Sequence, residues 1–129
     1  MPRRQTGLGM SYEAYKELEY FCLQYKEKKR QIATMYGPKG LRYDSVAHSS
    51  GQRGDRTAET ALRIGKLKEE VFMIEESARQ AGGSLAPYVL KNVTEKMNYE
   101  HMAVPCGRRQ FYAIRRHFFA ILYEKRKNG

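Results

Sequence analysis

Arg108, Arg109 and Gln110 stand in succession, and Tyr112, Arg115 and Arg116 follow closely, with Lys125 and Arg126 further on. These residue types read and grip nucleic acid. Arg can make two hydrogen bonds to a guanine edge and Gln two to an adenine edge, while further Arg and Tyr side chains hold phosphate. Other chemistry is thinly supplied. His48 lies beside Ser49, and His101 lies five residues before Cys106. Neither pair has a third group to orient a base. Glu69-Glu70 and Glu75-Glu76 are paired carboxylates on a helical pattern, expected as a solvated face. Cys22 and Cys106 lack the nearby second ligand of a zinc site, so two reduced thiols are expected. Neither a Walker loop nor a dinucleotide loop occurs. The expectation is a protein that is not an enzyme and uses no cofactor and no metal.

Charge supports the nucleic-acid reading. The chain of 129 residues has 24 Lys and Arg against 14 Asp and Glu, a net charge of +10. Residues 1–56 hold 11 basic and 6 acidic groups, residues 57–97 hold 6 and 6, and residues 98–129 hold 7 and 2. The positive field is therefore concentrated towards the two ends of the sequence. Such a field favours phosphate by releasing condensed counterions. The length suits one domain with an appendage. There is no run of apolar residues long enough to span a membrane, so no membrane partner is expected. Residues 1–11 carry Arg3 and Arg4 with Pro and Gly and no apolar run behind them, so they are expected as a flexible basic arm and not a secretory leader.

The elements that would position these groups are helices. Tyr15, Leu18, Cys22, Tyr25, Lys29, Ile32 and Tyr36 recur at helical spacing, which predicts a helix over 12–36. Ser11 is its expected N-cap and Gly37-Pro38 its stop. Residues 37–56 show no apolar period and are expected as a long loop, whose Lys39, Arg42, Arg53 and Arg56 could touch phosphate. Ile64, Leu67, Val71, Ile74, Ala78 and Ala81 predict a second long helix over 57–81, capped by Asp55 or Thr57 and stopped by Gly82-Gly83. Two long helices with one apolar stripe each predict an antiparallel hairpin over 12–83, with a homodimer as a further way to bury the stripes. Ser84 is expected to cap a helix to about Met97, and Asn98 a short helix Tyr99–Met102. A turn at Ala103–Gly107 then leads into a helix over 108–126 with Phe111, Ile114, Phe118, Ile121 and Leu122 inward. A short helix, a turn and a basic helix over 84–129 predict a helix-turn-helix. The expected fold class is all-α.

The stretch Val89–Lys125, which runs LKNVTEKMNYEHMAVPCGRRQFYAIRRHFFAIL from Leu90, resembles phage regulators of the RinA and ArpU type. The order of long helix, Ser49–Arg56 loop and second long helix is similar too. The resemblance implies a DNA-reading domain like region four of bacterial sigma factors. Cys106–Gln110 would start its recognition helix, and Phe111, Tyr112, Arg115 and Arg116 would form its body. It implies a phage transcription regulator acting on double-stranded DNA in the bacterial cytoplasm, with RNA polymerase or another host nucleoprotein as a partner. Phages also use such domains in DNA-packaging accessory subunits and in inhibitors of host nucleases, including anti-CRISPR proteins.

Overall fold

The computed structural model describes residues 9–40 and 52–128, with side chains described over 9–35 and 58–128. Every regular element among them is helical: α1 (Tyr12–Leu23), α2 (Tyr25–Gly40), α3 (Gln52–Gly82), α4 (Ala86–Glu95) and α5 (Arg108–Asn128). Single 3-10 turns occupy Gly83–Leu85 and Tyr99–His101. The chain is all-α, as its periodicity predicts.

Ser11 does cap α1, its Oγ accepting the Ala14 amide at 3.0 Å. The predicted continuous helix over 12–36 is interrupted at Gln24, whose amide donates to the Phe21 carbonyl at 3.2 Å. That i−3 bond tightens one turn and advances the helical phase. In consequence Lys28 is buried, where the seam predicted Lys29, and Lys29 is exposed. Phe21 is also buried and Ile32 half-buried. Helix α2 continues past Gly37-Pro38 to Gly40. Proline's fixed φ near −65° is compatible with a helix, but its ring crowds the carbonyl four residues back and its nitrogen donates no hydrogen bond, so the helix continues here at a local cost.

Helix α3 begins at Gln52, so Asp55 and Thr57 lie inside it and do not cap it. Residues 37–40 and 52–56, expected in a loop, are helical, and residues 41–51, with His48, Ser49 and Arg42, lie outside the described residues. So do the side chains of Tyr36, Lys39, Arg53 and Arg56. The predicted stripe on α3 is inward: Ile64, Val71, Ile74 and Ala78 are buried, and Leu67 and Ala81 half-buried. The helix ends where glycine predicted, with Gly83 in the left-handed region at φ +56°. A Cβ on Gly82 would stand 3.4 Å from Val89 and 3.5 Å from Ile114, ordinary contact distances, so α4 and α5 lie over the helix end without demanding glycine at this position.

The chain forms two compact units, one of Met1–Tyr25 with Met73–Gly129 and one of Lys26–Phe72. In the first, α1 packs on α4 and α5, and α4 on α5. Its core gathers Met10, Leu18, Phe21, Cys22, Ile74, Ala78, Val89, Val93, Met102, Phe111, Phe118, Phe119 and Leu122. Helix α1 therefore belongs with the C-terminal helices, and Met10, expected in the arm, is buried. In the second unit Lys28 reaches Glu70 at 3.1 Å across α2 and α3.

Candidate nucleic-acid interface

Helix α5 holds most of the predicted site, and the segment before it sets its start. Helix α4 carries Pro87 in its first turn and ends at Glu95, because Lys96 turns left-handed at φ 59°. Ser84 lies in the 3-10 turn and makes no side-chain cap of α4. Asn92 Nδ2 donates to the Met97 carbonyl at 2.9 Å, which closes the helix end. The expected helix Tyr99–Met102 is one 3-10 turn of three residues, and Asn98 makes no side-chain cap there. That turn is tied forward: the Tyr99 hydroxyl donates to the Cys106 carbonyl at 2.5 Å, and its ring lies 5.6 Å from Phe111. The Phe111 amide donates to the Gly107 carbonyl at 2.9 Å, starting α5.

Phe111, Phe118 and Leu122 are fully buried, as their spacing predicts, and Ile114 and Ile121 are half-buried. Phe119 is buried too, which the periodicity missed. Its ring meets Phe118 at 5.0 Å and Tyr15 of α1 at 5.1 Å, both edge-on. These anchors leave one side of the first turns outward. Arg109, Gln110 and Arg116 are exposed there and make no hydrogen bond or ion pair among the described residues. Ala113 and His117 share that exposed face and were not singled out by sequence. Ala113 leaves a shallow centre between longer polar side chains.

The other predicted site residues are placed differently. Arg108 pairs with Glu100, and its guanidinium lies 5.3 Å from the Tyr112 ring, which itself is half-buried against Phe111. Lys125 is half-buried and lines a shallow groove with His117, Ile121 and Gln80. Arg126 is exposed but sits 4.0 Å over the Phe21 ring. Arg115 departs most from expectation. Its side chain is 21% exposed and turns inward. Its Nε donates to Asn92 Oδ1 at 2.6 Å, one terminal nitrogen to the Tyr15 hydroxyl at 3.0 Å, and the other to Glu19 at 3.4 Å. The guanidinium also lies 4.9 Å over Phe119. It joins α1, α4 and α5, so it does not belong to the outward face. Of the carboxylates expected as solvated, Glu69 is exposed, but Glu70 pairs with Lys28 and Glu75 accepts from Tyr25 at 2.5 Å. Burial, then Glu75, pushes the Tyr25 phenol well above its ordinary range.

Around Arg115 the electrostatics favour ionised Glu19. Partial burial opposes the charge, but Lys16, Tyr15 and Arg115 outweigh it and hold the Glu19 pKa below the ordinary carboxylate range. A depressed folded pKa stabilises the fold above the unfolded value, and the gain disappears as pH falls through the folded value. Wild type and Glu19→Gln should therefore differ in urea stability at neutral pH and converge in acid, below the ordinary value near 4.5. A gap of constant size across that range would show that Glu19 acts by shape alone.

Among the described residues, no cluster of His, Cys, Asp and Glu could hold a metal ion, and no helix is long and apolar enough to cross a membrane. His101 is exposed, and Cys106 is half-buried with its Sγ 3.5 Å from the Gly107 carbonyl. No protein-family model, curated protein or solved structure matches the chain.

Proposed function

We propose that this chain is a sequence-selective DNA-binding protein that enters the major groove with the first turns of α5. The observation that carries the reading is the outward face of Arg109, Gln110, Ala113 and Arg116 on a helix held from behind by fully buried Phe111 and Phe118. The groove is about 12 Å wide and admits one helix. Arg109 and Gln110, in the first turn, reach base edges as a guanine reader and an adenine reader. Arg116 lies two turns on, where phosphate is the nearer target. The amides at the start of α5 add a partial positive charge that also suits phosphate.

The finer architecture belongs to the same proposal. Helix α4, the tied segment 96–107 and α5 form the helix-turn-helix, with α4 in the supporting role first assigned to Tyr99–Met102. The hairpin expected over 12–83 does not include α1, which packs on α4 and α5; for α2 and α3 a hairpin is proposed, supported by the Lys28–Glu70 contact. Taken with the resemblance over Val89–Lys125, the biological role proposed is that of a phage transcription regulator working in the host cytoplasm. The test is duplex binding across a salt series. With about five phosphates neutralised, log affinity against log salt should fall with a slope of about −4 to −5. A slope near zero would remove the electrostatic basis of the proposal.

A further inference from the structure

Helix α3 has a second stripe, on the side away from Ile64 and Val71. Ala58, Leu62, Gly65, Glu69 and Phe72 recur at spacings of four and three. All five are exposed, Leu62 at 75% and Phe72 at 60%. Gly65 lies in the middle of a 31-residue helix, where glycine is unfavourable, and nothing lies within 4 Å of where its Cβ would be. Large exposed apolar side chains flanking an unpacked helical glycine suit close approach of a second helix.

We propose that this face docks on the same face of a second copy of the chain, antiparallel, with Leu62 of each copy seated over Gly65 of the other. Charge chooses the occupant and the register. Glu59 and Lys66 lie one heptad apart along the same edge of the stripe, and both are exposed. When Leu62 covers the second copy's Gly65, Glu59 of each copy meets Lys66 of the other, twice by symmetry. The opposite edge then sets Lys68 against Ala61, and the centre sets Glu69 against Ala58. The alternatives place like charges together. A parallel pair in register would stack Glu69 on Glu69. An antiparallel pair shifted by one heptad, with Leu62 on Phe72, would set Lys66 on Lys66 and Lys68 on Lys68. The pairing uses α3 alone and is independent of the nucleic-acid reading.

Sedimentation equilibrium of the whole chain tests this from micromolar to millimolar concentration. The mass should rise from 15.0 kDa towards twice that value. Glu59→Lys and Lys66→Glu should each weaken the dimer by about tenfold, as two attractive contacts become repulsive. The double variant E59K/K66E should return to within about threefold of wild type, because the pairs are restored with reversed sign. Gly65→Ala should weaken association while far-ultraviolet circular dichroism shows helix content kept or raised. These sites are exposed, and the same spectra establish that each variant is folded. A chain that stays monomeric throughout overturns the proposal. So does a dimer indifferent to the single reversals, or one that the double variant fails to restore.

Discussion

Phe118→Ala is expected to remove about 3–5 kcal/mol of folding stability. The ring is fully buried, packs edge-on to Phe119, and lies in the core that joins α1, α4 and α5. Truncation removes apolar surface and leaves a cavity that the neighbouring aromatic rings can fill only in part. Small domains typically have about 5–15 kcal/mol in total, so this single change could consume much of it. Urea unfolding followed by circular dichroism measures it. A loss under about 1 kcal/mol would mean that the α5 anchor is not packed as described. Because the fold suffers first, this variant is unsuited to judging recognition.

Arg115→Met should cost about 2–3 kcal/mol, a large effect for a residue that a helical wheel places among surface cations. Methionine keeps apolar contact with Phe119 but loses the hydrogen bonds to Asn92, Tyr15 and Glu19. It leaves partners that are themselves partly buried, which is the expensive outcome when one side of a bonded set is removed. Arg116→Met is the control, exposed and without such partners, and should stay within about 0.5 kcal/mol of wild type. The same pair separates structure from binding. Arg116→Met should lower the salt slope by about one, whereas Arg115→Met should leave the slope unchanged wherever it is folded. A stable Arg115→Met protein with a reduced slope would make Arg115 a phosphate contact after all.

What could be read from sequence was mainly local. The α3 stripe from Ile64 to Ala81, the Ser11 cap, the glycine stop at Gly82-Gly83 and the buried Phe111, Phe118 and Leu122 each follow from a few neighbouring residues. The failures have local causes too. One i−3 hydrogen bond at Gln24 moved the seam from Lys29 to Lys28. Asp55 and Ser84 have cap chemistry, but the backbone around each is already helical or in a 3-10 turn. The larger misses are tertiary. Nothing in residues 12–23 announces that α1 packs against α4 and α5, far later in the chain. Without that packing, neither the burial of Phe119 nor the inward turn of Arg115 could be foreseen. The cations that periodicity grouped on one helix therefore do not share one outward face. Arg109, Gln110 and Arg116 remain outward, while Arg115 is an internal tie and Arg108 is matched by Glu100.

The central claim is that the first turns of α5 read bases, and the direct test compares Arg109→Ala with Arg116→Ala. Both are measured on a duplex enriched from a random pool and on unselected duplex at the same salt. Arg109→Ala should lose about 1–3 kcal/mol on the enriched site, relax selection at one or two base positions and change little on unselected duplex. Arg116→Ala should weaken both duplexes alike and reduce the salt slope by about one. If the two variants weaken both duplexes equally, or alter neither, α5 does not read DNA sequence and the account is wrong at its centre.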